Sequence, residues 1–451
     1  SRRPSVGLSL DACRECFNTH WVQNPTMRRG TVRVVERSKA VMNAIRTLLH
    51  YQYMMRARRY DRDKLENIQS RKRRPLVQHA YRTVPYYRRR FDEAGLDVAT
   101  IDSLADLAAI PITTKRSLQQ EPADQVISSQ FAQRRLRTDK TSGSSGRPLE
   151  IRCDLSWIPM REALFARALS AAGYLPGRRM LAISSATQRS RSRRLGIRRV
   201  SFETPAPRIW ESLQTYQPDV LYGGVTPLRQ LAAYASTRAM PGPKLKAIVT
   251  TAESLDEATR QLLRQTFACD VFEIYGLTEI GSVAWECAAH DGYHVAEDCV
   301  LAEYVPTSSG NTRLVLTCLD QLAMPFIRYD CGDLAVAGKT EACSCGCKFA
   351  RIGKLEGRLV DCVTLGDGRE ISPYQITTAM ESIHEFRRYQ VVQNGFDQFT
   401  IRFEADAPLP GDGDVAGRAT AVLRDIVGQQ ASVALEQRDD LDPPPPQKFR
   451  V

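Results

Sequence analysis

Two stretches of this chain carry residue types at spacings that could do chemistry. The first is Thr141-Ser142-Gly143-Ser144-Ser145-Gly146-Arg147-Pro148-Leu149. Its two glycines remove the Cβ atoms that would hold a ligand off the backbone, and its hydroxyls and successive N–H groups are donors for phosphate oxygens. The GxxxxGK[ST] pattern of a P-loop is missing, and on composition alone a flexible Gly/Ser turn competes with a phosphate cradle. The second is a crowd of cysteines: Cys287, Cys299, Cys318, Cys331, Cys343, Cys345, Cys347 and Cys362 fall in one region, out of twelve in the chain. Such clustering without an apolar export segment favours metal over disulfides. Cys287, His294, Cys343 and Cys345 supply three thiolates and an imidazole, a tetrahedral Zn²⁺ set with no open position and therefore a structural site. Cys347 or His290 could substitute for a member, and a group of reduced, half-buried thiols is the plain alternative. Cys13, Cys16 and His20 read C-x2-C-x3-H with no second pair, a coincidence of helical spacing.

Residues like these need rigid elements to hold them. After the Gly/Ser loop, helical spacing over 157–172 alternates with short apolar runs at Met180 to Ser184, Val220 to Tyr222, Ala247 to Thr251 and Val271 to Tyr275. Strands alternating with helices imply an α/β core around parallel strands. From Val295 to Val336 the texture turns β-rich, with TRLVLTCL the clearest strand. Beyond Gly357 come VDCVTL, a GDG turn, a helix from about Pro373 to Ile383, the strands YQVVQN and QFTIRFEA, and a helix from Gly417 to Gly428. Upstream, 34–70 lack Gly and Pro and are spaced as a helix, and a further helix is expected to start at Asp102 or Ser103. The fold class expected is α/β: a helical lead-in over 1–75, a large domain of mixed sheets and helices over 76–356, and a small mobile α+β domain over 357–451.

A chain of 451 residues has room for two or three cores. With 43% hydrophobic and 25% charged residues it reads as globular, and charges interrupt every apolar run before the ~18 residues of a membrane span. A cytoplasmic enzyme is the expectation. The net charge of +12 gathers at Arg71 to Arg74 and Arg189 to Arg199. Neither run has interleaved aromatics or a nucleic-acid-binding motif, so solvated surface is the first reading and attraction of anionic nucleotides the second. A basic zinc protein that binds nucleic acid is the alternative of another class.

Further segments appear in a telling order: Ala252-Glu253-Ser254, Tyr275-Gly276-Leu277-Thr278-Glu279, Tyr329-Asp330-Cys331-Gly332-Asp333, Gly357-Arg358 and Gln447-Lys448. With TSGSSGRPL this set resembles the adenylate-forming superfamily of acyl-CoA synthetases, luciferases and adenylation domains. VPYYRRRFDEAGLD, LAAIPITTK, YGLTEIGSVAWEC, GYHVAED and LAMPFIRYDCGDL resemble its phenylacetate-CoA ligase and capsule-biosynthesis-ligase branch, from about Tyr81 to the C-terminus.

The resemblance implies ATP-dependent activation of a small carboxylic acid, of the aromatic class, as acyl-adenylate, followed by transfer to coenzyme A. It implies that Thr141, Ser142, Gly143, Ser144, Ser145 and Gly146 hold the β and γ phosphates, Thr278 the α-phosphate and Glu279 a Mg²⁺ ion. Ala252, Glu253, Tyr275 and Gly276 would line the adenine, Asp333 would take the ribose hydroxyls, and Arg358 would reach the ribose or phosphate. Lys448 would be the catalytic lysine, and Gly368 would lie beside the pantetheine. Members of the branch show a comparable Cys, His and CxCG arrangement for zinc. The chain departs from the pattern in having Gln447 for glycine, Asp330-Cys331 for Arg-Thr, and Leu359-Val360-Asp361 after the hinge arginine. An acceptor other than coenzyme A, whether an amine, a carrier protein or nitrite chemistry, stays open, as does a homodimer.

Overall fold

The computed structural model describes residues 25–438 and 441, apart from 102, 142–147, 176, 185–195, 308, 381, 384, 387 and 406–413. Cys13, Cys16, His20 and Lys448 lie outside them. The helix expected over 34–70 is two helices, α1 (Pro25–Ala57) and α2 (Arg62–Thr83). The break comes at Asp61, whose carboxylate accepts the Lys64 N–H at 3.0 Å and so starts a new helix. The next expected start falls on Ser103, which shares a capping box with Asp106; Asp102 is outside the described residues.

Twelve strands of the described residues make one mixed sheet, and short pairs stand beside it. In chain order they are β1 (Thr113–Thr114), the separate hairpin β2 (Arg137–Lys140) and β3 (Glu150–Cys153), then β4 (Met180–Ser184), β5 (Ile197–Ser201), β6 (Val220–Gly224), β7 (Ala247–Thr251) and β8 (Asp270–Leu277). After the parallel part follow β9 (Gly281–Trp285), β10 (Tyr293–Val295), β11 (Val300–Pro306), β12 (Thr312–Cys318), β13 (Tyr329–Ala337) and β14 (Arg351–Arg358). The order is β11-β12-β13-β14-β10-β9-β8-β7-β6-β4-β5, with β1 beside β13.

Parallel pairing of β5, β4, β6, β7 and β8 gives a doubly wound half. Of its strands, β4, β6, β7 and β8 read as apolar runs because both faces are covered. Leu181, Ile183, Leu221, Ile248 and Val271 meet Trp210 of α4 (Ala206–Tyr216), Leu228 of α5 (Val225–Ser236) and Leu263 of α6 (Glu257–Phe267), taking helix labels in chain order with α3 at Trp157–Ala171. Their neighbours Met180, Val220, Val249 and Phe272 point the other way, into a core with Leu164 and Ala168 of α3. From β8 onward the pairing turns antiparallel.

Beyond Gly357 the chain builds a core of its own. The hairpin β15 (Val363–Thr364) and β16 (Glu370–Ile371) carries the expected GDG turn, and α7 (Pro373–Met380) follows. β17 (Arg388–Gly395), β18 (Gln398–Glu404) and β19 (Ser432–Gln437) form a sheet backed by α8 (Asp414–Val427), with Phe399, Ile401, Phe403 and Leu423 buried between them.

The arginine runs are only partly solvated surface. Arg73 is buried and Lys72 pairs with Asp320 at 2.8 Å, while Arg198 and Arg199 belong to β5, with 189–195 outside the described residues.

Candidate active site

The hairpin β2–β3 pinches the Gly/Ser loop at its neck. The Thr141 N–H donates to the Leu149 carbonyl at 3.1 Å, and the Thr141 hydroxyl accepts the Leu149 N–H at 2.9 Å. Thr141 thereby faces a cleft of about 720 Å³; Ser142, Gly143, Ser144, Ser145 and Gly146 lie outside the described residues. The cleft opens at the carboxyl ends of β4, β6, β7 and β8, where open α/β sheets take ligands. Ser184, Tyr222, Thr251, Ala252, Gly276, Thr278 and Glu279 line it from the parallel strands, and Lys115, Cys331, Gly332 and Arg358 line it from across.

Two backbone features shape this floor. Ala252 has φ +74°, a left-handed conformation that costs a residue with a side chain and tends to persist at functional sites. A Cβ on Gly276 would come 3.0 Å from the Gly281 carbonyl oxygen, so the tight β8–β9 turn that presents Thr278 and Glu279 excludes a side chain there.

The buried carboxylates are oriented by tyrosines. Tyr275 donates to Asp333 at 2.6 Å, and Arg358 approaches the other Asp333 oxygen at 3.4 Å from the paired position on β14. Burial, then the Asp333 charge, pushes the Tyr275 hydroxyl well above its usual range, so it stays a donor. Tyr329 likewise donates to Glu279 at 2.8 Å, its hydroxyl raised by burial and by Glu279. Burial lowers the Lys115 amine against the pull of Glu279. Asp330 is engaged by Arg313 at 3.1 Å and by the Gly332 N–H at 2.9 Å, which fixes the turn into Asp333, while Cys331 contacts the Leu314 carbonyl and the Tyr275 hydroxyl. Lys115, Arg116, Arg137, Arg161, Arg199 and Arg358 face only Glu162, Glu279 and Asp330 as lining carboxylates, a surplus of positive charge suited to an anionic ligand.

Not every expected residue joins the cleft. Glu253 is engaged at the start of α5, accepting the Thr226 N–H at 3.0 Å and its hydroxyl at 2.5 Å. Gly368, at φ +84°, turns the β15–β16 hairpin and is not part of the lining. Conversely Lys115, Arg161, Arg199, Tyr222 and Tyr329 belong to the cleft without having been singled out. Lys115 ends the PITTK segment, and the alternation of β5 was the available signal for Arg199.

A second cluster lies behind β9 and β10. Ligand atoms of Cys287, His294, Cys343 and Cys345 all fall within 4.8 Å of one another. Cys287 and Cys343 sulfurs are 3.7 Å apart, and the Cys345 sulfur is 3.4 Å from His294 Nε2. Bonds of ~2.3 Å to sulfur and ~2.0 Å to nitrogen at tetrahedral angles demand donor separations of about that size, so the set could hold a zinc-like ion. Burial holds the His294 imidazole down to about 4, neutral and able to ligate at pH 7. The expected substitutes are elsewhere: Cys347 is buried in the main core, and His290 stacks on Phe272 beside Glu286.

No family model matches the chain. It is 29% identical over 375 residues to a phenylacetate-coenzyme A ligase of Thermus thermophilus, covering 77% of this chain and 83% of that one. A phenylacetate-coenzyme A ligase of Pseudomonas putida is 26% identical over 413 residues, covering 83% and 90%. Among solved structures, 2-hydroxyisobutyryl-CoA ligase in the postadenylation state with R3-HIB-AMP matches with TM-score 0.73 at 20% identity, covering 87% and 90%. The same ligase with 2-HIB-AMP and CoA in its thioesterification state matches with TM-score 0.59 at 20% identity, covering 86% and 90%.

Proposed function

We propose that this chain, related in sequence to phenylacetate-coenzyme A ligases and folded as an adenylate-forming ligase, activates a small carboxylic acid with ATP and passes the acyl group to coenzyme A. One observation carries the reading: Thr141, the Gly276–Glu279 turn, the Cys331–Gly332 turn and Arg358, far apart in sequence, converge on one cationic cleft at the strand ends. A carboxylate oxygen of the acid attacks the α-phosphorus, the bond to the bridging oxygen breaks, and pyrophosphate leaves. The coenzyme A sulfur then attacks the acyl carbon and AMP departs with the electron pair. Positive charge and fixed donors lower the first barrier by meeting the charge that builds on the phosphates.

On this reading the loop from Thr141 to Gly146 holds the β and γ phosphates and Thr278 the α-phosphate. Asp333, aimed by Tyr275, takes the ribose diol with Arg358 beside it; Ala252 and Gly276 lie under the base, a role the helix-capping contacts of Glu253 make less apt for its side chain. Glu279, one oxygen anchored by Tyr329, is a hard oxygen ligand fit for Mg²⁺, which would neutralise phosphate charge. Lys448 supplies a positive charge for the first step, and Gly368 is the residue beside the pantetheine in the second. Gly357-Arg358 is the hinge of the division at 356/357, whereas a boundary at 75/76 would cut α2, whose Leu65, Leu76 and Ala80 are buried in the main core, so the helical lead-in belongs with the large domain. Zn²⁺ on Cys287, His294, Cys343 and Cys345 closes a structural site. No helix among the described residues is long and apolar enough to cross a membrane, and we place the enzyme in the cytoplasm.

The test is acid-dependent pyrophosphate release across an acid panel, with and without coenzyme A, on wild type and Lys448→Ala. Release that requires the acid, thioester product with coenzyme A, and a large loss in the variant are expected. Complete turnover to another acceptor without coenzyme A would overturn the thioester step. Salt-sensitive binding to nucleic acid with no acid-dependent ATP consumption would overturn the whole reading.

A further inference from the structure

Toward the β5 end of the cleft stands a cation that no carboxylate among the described residues pairs with. β5 reads Ile197-Arg198-Arg199-Val200-Ser201, and period two sends its arginines to opposite faces. Arg198 lies over the Tyr216 ring at 5.7 Å. Arg199 goes to the cleft. Its recorded hydrogen bond is a long one, 3.4 Å from Nη1 to the Ser184 hydroxyl, and among the described residues no carboxylate pairs with it. Three of the other cleft arginines differ, since Asp139 takes Arg137 at 2.9 Å and Arg161 at 2.8 Å and Arg358 faces Asp333, while Arg116 sits beside Lys115 on the opposite wall. Glu162, another lining carboxylate, accepts from Thr47 of α1 at 3.0 Å.

The surroundings of Arg199 are apolar and aromatic. Phe165 of α3 and Tyr222 of β6 meet edge to face with centroids 5.2 Å apart, and both line the cleft. Burial pushes the Tyr222 hydroxyl up to about 12, so it is neutral at working pH and offers no charge to balance Arg199. β5 and β8 are four steps apart in the sheet order, and the Arg199 guanidinium, reaching over β4 to Ser184, stands three steps, about 14 Å at ~4.8 Å per step, from the β8 end of the cleft. A guanidinium that far from the Thr278–Glu279 turn is badly placed for the α-phosphate and well placed for the far end of the acid.

Resting on the ligase reading above, we infer that Arg199, with the Ser184 hydroxyl beside it, is the specificity subsite for a second anionic group on the acid, so that the substrate is a dicarboxylic acid whose apolar frame lies between Phe165 and Tyr222. A carboxylate there would meet the planar fork of an arginine in bidentate fashion in a half-buried site, where an unpaired charge on either partner is costly.

The experiment uses matched acids with the full chain: phenylacetate against 4-carboxyphenylacetate, benzoate against isophthalate, and butyrate against glutarate, on wild type, Arg199→Gln and Arg199→Lys. Wild type should favour the carboxylated member of at least one pair by tenfold or more in kcat/KM for pyrophosphate release. Arg199→Gln should abolish that preference through the acid KM, with the ATP KM little moved, and Arg199→Lys should restore part of it. A wild-type preference for unsubstituted or amine-bearing acids overturns the subsite. So does an Arg199→Gln defect confined to the ATP KM, which would make the residue a phosphate contact. Calorimetric binding of the same dicarboxylic acids separates the subsite from the reaction. If no acid releases pyrophosphate yet dicarboxylates bind wild type tenfold tighter than Arg199→Gln, the ligase reading fails and the subsite stands; equal binding to both proteins overturns the subsite.

Discussion

On the proposed reading Asp333 accepts from two sugar hydroxyls, which requires its own oxygens to be aimed first, and Tyr275 donates to it at 2.6 Å. Removing that donor while keeping the ring isolates its contribution. A hydrogen bond to a charged group is worth ~1.5–3 kcal/mol, which corresponds to roughly 10–100-fold in affinity. Tyr275→Phe is therefore expected to raise the ATP KM by about tenfold or more, and Asp333→Asn by more again, with the acid KM nearly constant; initial rates at varied ATP and acid decide it. An unchanged ATP KM in both variants would remove Asp333 from the nucleotide site. The turns that present Asp333 and Glu279 were legible in the sequence because each is carried by a short motif, while the roles of the two carboxylates are those of the proposed reading. Glu253 was not, because what holds its side chain is the start of α5, where Thr226 donates twice. Arg199 was hidden in a run of arginines that reads as solvated surface until its strand partner, β4, is known.

Elements declared themselves by how continuous their apolar signal was. β4, β6, β7 and β8 are buried on both faces and read as unbroken runs, whereas β5 sits at the sheet edge with two arginines among its five residues. The break between α1 and α2 was missed because a cap such as Asp61 leaves no trace in apolar periodicity. Two predictions belong at this scale. On the zinc reading a metal reinforces the contact between His294 of β10 and the Cys343–Cys345 turn, so purified protein should carry about one zinc per chain, and His294→Ala should lose it and melt at lower temperature; elemental analysis and a melting curve check both. Full metal content in the variant would place the zinc elsewhere. On β8, burial and then the neighbouring Glu286 charge raise Glu273 to about 8, while Tyr293 donates to it at 2.8 Å. A carboxyl raised from its ordinary 4.5 to 8 binds its proton more tightly when folded, so its stabilisation is complete below pH 4.5 and is lost as pH climbs through 8. Wild type should accordingly lose melting temperature relative to Glu273→Gln between about pH 5 and 8, and parallel curves for the two proteins would show that Glu273 is already ionised in the fold.

The whole chain contains separate apolar cores, and the one built from Val363 to Ala431 shares no buried residue with those around the main sheet. This organisation was readable as a change of texture after Gly357, where a short hairpin and two strands in direct succession replace the strand–helix alternation of the parallel half. The third strand of that small domain, β19, was not, because SVALEQ is half exposed and carries few apolar residues. Where the two parts meet, Gly357 has φ +97°, and a Cβ on it would lie 2.9 Å from Cγ of Pro373 at the start of α7. Replacing it by alanine strains this arrangement twice, through the backbone and through Pro373, and a left-handed conformation alone costs a residue with a side chain ~1–2 kcal/mol. If Gly357-Arg358 is the hinge, that strain weighs only on the half-reaction carried out in this arrangement, because rotation of the small domain would relieve the contact with Pro373. Gly357→Ala should then change the ratio of adenylation to thioester formation by fivefold or more. Single-turnover pyrophosphate release and thioester transfer from preformed acyl-adenylate measure the two steps separately. Equal slowing of both, with a lowered melting temperature, would mean that Gly357 serves only the fold and that the hinge lies elsewhere.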